Sequence, residues 1–292
     1  MRWAAGLGVH ALPFPFAFPF ELIAMAVAFW ASPAAAGDPF EIQVYDGTAN
    51  AAGVAGVELH LNDWITGHRA ATPPELPLHG QFHATLEPSF GLRPFWEVGA
   101  YLQMALRGDD GGAIDWAGVK LRSKFVTPPG WDAHWRLGVN FEVSYLPSAY
   151  DANRWGSEVR PIVAWQNREW LFAVNPIVDQ SLAGSGSSEG PSLQPAAKAA
   201  RTVGPVALGL EYYSTLGPLT ALLPLRAQEH YLFEVVDLLS VDRFELNAGI
   251  GEGLTPASAG VIAKAIVGYA FDTVPPPLRQ AAVFTPMKER RP

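Results

Sequence analysis

The feature that most constrains the fold is a two-residue alternation of apolar and polar side chains, repeated along the chain. From Trp96 to Leu106 every even position is apolar, whereas the odd positions include Glu97 and Gln103. Because successive side chains of a strand point to opposite faces of the sheet, this segment is predicted to be a strand with one wholly apolar face.

Two further segments repeat the alternation with stronger contrast. Residues expected on the apolar face of the first are Ala117, Val119, Leu121 and Phe125. The second segment runs from Trp135 to Tyr145, with apolar side chains at its odd positions. A soluble β-sandwich shows similar alternation, so strand length and loop length must decide between the two architectures.

The whole pattern predicts about twelve strands. Their expected ranges are 57–64, 81–90, 94–106, 116–126, 134–145, 155–166, 169–178, 193–202, 205–214, 229–237, 243–251 and 261–271. The connections between them alternate between long and short, and only 127–133 is longer than a tight turn needs. Short turns at one end and long loops at the other are typical of outer-membrane barrels.

Aromatic residues bracket the apolar faces at a spacing that fits a membrane. Trp155 and Trp165 are ten residues apart, and a tilted strand of that length rises about 25 Å, the height of the apolar band of such a barrel. Amphipathic rings settle at the two membrane interfaces. The predicted girdle consists of Trp96, Trp135, Tyr145, Trp155, Trp165, Trp170, Tyr269 and Phe271.

These observations predict an all-β fold, an antiparallel transmembrane up-and-down β-barrel of about twelve strands in the lipid of a bacterial outer membrane. The sheet must close because hydrocarbon offers no water to a free strand edge. The net charge of −8 argues against nucleic acid as a partner. The absence of cysteine excludes thiolate metal sites and a cysteine nucleophile.

The chain is expected to divide into four parts. Residues 1–36 resemble a secretory signal peptide, since an apolar run ends in Ala34-Ala35-Ala36. Residues 37–56 form an N-terminal segment that lies in the periplasm or folds into the lumen as a plug, and the periplasmic location is favoured. The barrel occupies 57–271, and 272–292 form a disordered tail.

Two stretches resemble known families. The predicted last strand, 261–271, with Tyr269 and Phe271 at its end, resembles the closing strand of Gram-negative outer-membrane barrels. That resemblance implies recognition by the barrel-assembly machinery. The stretch from Gln81 to Val126, with Leu86-Glu-Pro-Ser-Phe90 and Trp116-Ala-Gly-Val-Lys-Leu-Arg122, loosely resembles the barrels associated with the phenol meta-cleavage pathway, which implies small-molecule uptake.

The polar faces of the strands are expected to line the lumen. The predicted lining residues are Glu97, Lys120, Arg122, Lys124, Arg136, Glu142, Glu158, Arg160, Glu169, Glu211, Glu245 and Lys264. They mix both signs of charge on neighbouring strands. Two interpretations are equally open: a charged channel lining that sets selectivity, or a salt-bridged interior that only stabilises a closed barrel.

We therefore expect a passive channel or transporter for a small-molecule solute, with no cofactor. The first alternative is a non-conducting structural barrel that binds partners through its long loops. The second is a lipid hydrolase, with His134 and Ser144 on one strand face, or His83 near Thr85, as candidates. The spacing of His60, His68, His79 and His83 matches no metal-ligand pattern, so no metal site is predicted.

Overall fold

The computed structural model describes residues 38–70, 73–107, 112–239 and 243–272. The predicted signal peptide, 1–36, and the tail after residue 272 lie outside these ranges. None of the helices within the described ranges is long and apolar enough to cross a membrane.

The described part of the chain is almost entirely β-structure, with two 3-10 helices, Ser185–Ser188 and Leu225–Ala227. The strands are β1 (Val54–Asp63), β2 (Gln81–Arg93), β3 (Trp96–Arg107), β4 (Ile114–Val126), β5 (Trp135–Tyr145), β6 (Trp155–Gln166), β7 (Trp170–Asn175), β8 (Val178–Ser181), β9 (Ser192–Leu193), β10 (Ala196–Val203), β11 (Val206–Thr215), β12 (Gly217–Pro218), β13 (Glu229–Leu238), β14 (Phe244–Gly253) and β15 (Val261–Asp272).

Twelve of these strands form a closed antiparallel barrel, as the sequence predicts. The strands β1 to β7 pair in order, β7 pairs with β10, and the ring continues through β11, β13, β14 and β15. The ring closes because the whole of β1 pairs with β15, from Val54 opposite Asp272 to Asp63 opposite Ala263. No edge of the ring is left unpaired, which satisfies the hydrogen-bonding requirement of a strand in hydrocarbon.

The short strand β8 continues β7 in the same register against β6. Val174 lies opposite Val163, and Val178 lies opposite Val159. The interruption falls at Pro176, which has no N–H to donate to the ladder. The short strands β9 and β12 continue the ladder beyond β8 in the same way.

The loops alternate in length as predicted, and the one long turn at the short-turn end has a defined structure. Residues 127–134 join β4 to β5, and the Asp132 carboxylate accepts hydrogen bonds from the backbone N–H groups of His134 (2.7 Å) and Trp135 (2.9 Å). The N–H groups of Trp135 and His134 hold the pKa of Asp132 below its ordinary value.

One strand departs from simple alternation, and the expected position of Ala117 is wrong. The pairing of β3 with β4 shifts between Gln103 and Met104, so Ala117 is the extra residue of a β-bulge. Ala117 and Gly118 are both buried on the inner side. A bulge reverses the parity of the residues before it, so Ala117 faces the lumen rather than the face of Val119.

The outer surface of the barrel is apolar, and the predicted girdle residues all lie on it. Trp135 lies opposite Trp165 at the short-turn end, and Tyr145 lies opposite Trp155 at the long-loop end. The rings of Trp96 and Phe125 stack with centroids 5.6 Å apart. Six girdle residues mark the short-turn end and two the long-loop end; the six are Trp96, Trp135, Trp165, Trp170, Tyr269 and Phe271.

Candidate functional site

The lumen is filled by the segment that precedes the first strand. We call residues 38–53 the plug. Phe40 and Tyr45 of the plug are 0% and 6% exposed, and Gly53 at its end donates a backbone hydrogen bond to the Gly91 carbonyl near the short turns (2.8 Å). The structure places this segment inside the lumen, the alternative to the periplasmic location that the sequence favours.

The plug runs the height of the barrel. Its first residues lie near the long-loop end, where Trp64 and Asn62 donate hydrogen bonds to the Pro39 carbonyl. Residues 41–46 of the plug have no regular secondary structure and belong to no sheet. The backbone groups of the plug must therefore find other partners, because a buried peptide group without a hydrogen bond is costly.

Side chains of the wall supply those partners. Lys264 donates to the Ile42 carbonyl (2.9 Å), and Arg160 donates to the Gln43 carbonyl (3.2 Å). The Asn175 side chain bonds both backbone groups of Tyr45, accepting from its N–H (2.7 Å) and donating to its carbonyl (3.0 Å). The amide of Asn175 thus takes the place of a neighbouring strand.

The plug carries three carboxylates and no Lys or Arg, and each carboxylate meets a cation of the wall. Asp38 pairs with Lys120, Glu41 with Arg160 (3.1 Å), and Asp46 with Arg136 (3.3 Å).

The cations also fix the charge state of the plug. Burial opposes ionisation of Asp38 and Asp46, but the charges of Lys120 and Arg136 outweigh it and hold the pKa of each carboxyl below its ordinary value. The plug is therefore an anionic segment held by two buried ion pairs, at Asp38 and Glu41, and by a partly exposed one at Asp46.

Tyr45 makes the most specific contacts of the plug. Its ring lies between the guanidinium of Arg160 (4.5 Å from the ring centroid) and the ammonium of Lys124 (5.1 Å). Its hydroxyl is 2.6 Å from the hydroxyl of Tyr101 on β3. Cations over an aromatic face contribute more when they are desolvated, as they are here.

Eleven of the twelve predicted lining residues lie on the inner face of the barrel. They are Glu97, Lys120, Arg122, Lys124, Arg136, Glu142, Glu158, Arg160, Glu211, Glu245 and Lys264. Glu169 does not: it lies in the turn before β7, and its side chain is exposed. Glu169 has an odd number, like the inner-facing residues of β7, but β7 begins only at Trp170. Glu169 therefore lies at the rim of the barrel.

The inner-face charges form three groups, the first of which holds the plug. Lys120 pairs with Glu142 (3.2 Å) as well as with Asp38, and Arg160 pairs with Glu158 (2.7 Å) as well as with Glu41. Lys120 also lies 3.6 Å from Glu41, so Lys120 has one carboxylate partner from the wall and two from the plug, and Arg160 has one from each.

The second group lies on β2, β3 and β4. Arg122 bonds Glu87 (2.6 Å) and Glu97 (2.7 Å), and Lys124 bonds Glu97 (2.9 Å). Glu87 was not among the predicted lining residues, although its odd position in β2, shared with the buried Thr85, indicates the inner face.

The third group lies on β10, β11, β13 and β15. Glu211 pairs with Lys264 and Lys198, and Lys198 also pairs with Asp237 (2.8 Å). Lys198 was missed because β10 is rich in alanine and shows little contrast between its faces. Asp237 was missed because the inner face of β13 is mostly apolar, with Tyr231, Phe233 and Val235.

The plug leaves little free space in the lumen. A cavity of about 40 Å³ remains beside Ile42 and Gln43, bounded by Arg160, Tyr213 and Phe233. It has room for no more than a few water molecules.

Among the described residues, neither pair considered for hydrolysis forms a hydrogen bond between its nucleophile and its base. His134 lies at the short-turn end and Ser144 near the long-loop end of β5, which puts roughly 30 Å between them. His83 and Thr85 instead contact the carbonyls of Pro39 and Phe40 in the plug.

No protein-family model and no curated protein matches this chain. Among solved structures, the COG4313 outer membrane channel from Pseudomonas putida F1 is similar at 12% identity and a TM-score of 0.53, with 79% of this chain and all of that chain covered. The KdgM porin is similar at 8% identity and a TM-score of 0.49, with 74% and 99% covered. The likeness to the channel from Pseudomonas putida supports the barrel fold.

Proposed function

We propose that this protein is a passive channel for small molecules in a bacterial outer membrane, closed by its own N-terminal segment. The observation that carries the proposal is the kind of bond that holds the plug to the barrel wall. The wall is closed without the plug, and the plug joins no sheet. A segment held by side-chain hydrogen bonds and ion pairs can leave while the twelve-strand ladder stays intact.

The lining supports conduction once the plug has left. A mixed-charge inner face is wetted readily, and twelve strands leave room for a narrow aqueous path. The resemblance to Gram-negative barrels of the phenol meta-cleavage pathway is part of this proposal and agrees with uptake of small solutes. We also propose that residues 1–36 are a signal peptide and that the barrel-assembly machinery recognises the last strand.

Planar-bilayer conductance tests the proposal. The mature chain is folded into detergent, checked for a shift in gel mobility on boiling, and inserted into a bilayer. We expect rare openings for the wild-type barrel and frequent openings for Tyr45→Ala, which loses the contacts to Arg160, Lys124 and Tyr101.

A folded Tyr45→Ala barrel that stays closed would favour the alternative of a non-conducting barrel that binds partners through its long loops. A chain that is soluble without detergent and shows no mobility shift would contradict the membrane location.

A further inference from the structure

A cluster of one histidine and three glutamates lies on the inner face of the barrel. The second charge group separates this cluster from Asp38 of the plug. The members of the cluster are Glu58 and His60 of β1, Glu87 of β2 and Glu245 of β14. Glu58 lies directly opposite Glu87 in the ladder. Like charges directly opposite on neighbouring strands are destabilising unless a cation lies between them.

The backbone lets a third carboxylate approach. Glu58 lies opposite Gly268 of β15, and Gly268 lies opposite Glu245. A β-carbon at position 268 would lie 3.1 Å from Glu58 Cγ and 3.2 Å from Glu245 Cβ. Both glutamate side chains therefore lean over the glycine and toward each other.

The donor atoms of three residues already lie at the spacing of metal ligands. His60 Nε2 is 3.1 Å from Glu87 Oε2 and 3.4 Å from Glu58 Oε2, and the three donor atoms lie within 4.8 Å of one another. Zinc bonds of about 2.0 to 2.1 Å in tetrahedral geometry separate neighbouring ligand atoms by about 3.3 Å. The observed spacings of the imidazole to both carboxylates match that value.

The wall supplies too few cations for these carboxylates. Arg122 contacts Glu87 through the other oxygen, Oε1, which leaves Oε2 directed at His60. Among the described residues, no Lys or Arg forms an ion pair with Glu58 or Glu245. His60 and Glu87 are each 1% exposed, so the imidazole and this carboxylate lie away from bulk solvent, whereas the Glu58 side chain is 22% exposed and Glu245 is exposed.

We propose that Glu58, His60 and Glu87 bind a divalent transition-metal ion of the zinc type, with Glu245 beside the fourth position. Zn²⁺ is bound by both imidazole and carboxylate ligands, whereas Mg²⁺ and Ca²⁺ favour sites made of oxygen ligands alone. Binding requires the neutral imidazole, so the metal displaces a proton from His60. This inference does not depend on whether the barrel conducts.

The test is Zn²⁺ binding to the tag-free mature barrel, folded in detergent and freed of metal by a chelator. We expect calorimetry to give one Zn²⁺ per barrel, and Mg²⁺ to give no heat above dilution. Both His60→Gln and Glu58→Gln should weaken Zn²⁺ binding at least tenfold. The control His79→Gln, in the loop between β1 and β2, should leave it unchanged.

Co²⁺ provides a measurement that needs no variant. A tetrahedral site with one imidazole gives the folded wild-type barrel a visible d–d absorption that Zn²⁺ abolishes. Absence of Zn²⁺ binding and of the Co²⁺ absorption by the folded wild type would overturn the proposal. Binding that survives His60→Gln but is lost in His79→Gln would assign the metal to loop histidines and overturn it equally.

Discussion

At the scale of single residues, Tyr45 holds the plug most firmly. Replacing it by Ala removes two cation–π contacts and one hydrogen bond. Together these are worth about 2 kcal/mol, or roughly a 30-fold shift toward the released plug. We expect the open probability in a planar bilayer to rise by about that factor. Ala52→Ser, at an exposed position of the plug, is the matched control and should behave like the wild type.

The charge of the plug also predicts a pH dependence. The pKa of Asp38 and Asp46 lies below the ordinary 3.8 when the plug is bound and returns to that value when it is released. Plug binding is therefore strongest above 3.8 and weakens as the pH falls below it.

We expect openings to become more frequent in bilayers as the pH is lowered through this range. Asp38→Asn should open more often at neutral pH and respond less to acid. An open probability that falls as the pH is lowered would contradict this role of the carboxylates.

At the scale of the strands, the alternation fixes which residues face lipid. Leu102 of β3 and Val139 of β5 lie on the outer face near the middle of their strands. Arginine at either position should lower the free energy of unfolding by about 2 to 4 kcal/mol. Thr202→Arg, on the inner face of β10 near the short turns, should cost clearly less in urea unfolding. Equal losses at all three positions would contradict the register.

The bulge in β4 makes a second prediction at this scale. Gly118 has a φ of +141°, and a β-carbon there would lie 2.6 Å from the Tyr145 carbonyl oxygen. Gly118→Ala should therefore destabilise the barrel by about 1 to 3 kcal/mol. Gly130→Ala, in the turn between β4 and β5, also has positive φ but meets no atom within 4 Å. If Gly130→Ala lowers the stability less than Gly118→Ala does, the difference between the two losses reports the steric clash at position 118 rather than the backbone strain that both positions share.

The strands were predictable because lipid enforces an apolar outer face in each of them. The predicted range 155–166 coincides with β6, and the other ranges differ from the structure by a few residues. The parity of Ala117 was not predictable, since a bulge depends on the pairing with β3. The position of the plug was not predictable either, because residues 40–46 alternate like a strand but find their partners in side chains far along the chain.

At the scale of the whole molecule, the ring of twelve strands and the plug are separate structures with different kinds of contact. The ring is held by a continuous ladder, and the plug by side chains from opposite walls, among them Lys120, Arg160, Asn175 and Lys264. In the proposed function, this division allows the plug to leave without a change in the barrel. The chain has no cysteine, so no disulfide ties the plug to the wall, and the plug is joined covalently to the barrel through the peptide bond to Val54 at the start of β1.

The most direct test of this account is single-channel conductance of the barrel with and without residues 38–50, measured on samples that show the same mobility shift on boiling. The account predicts rare openings for the complete mature chain and steady conductance steps for the shortened one. A shortened barrel that folds and inserts but carries no current would contradict the assignment as a plugged channel.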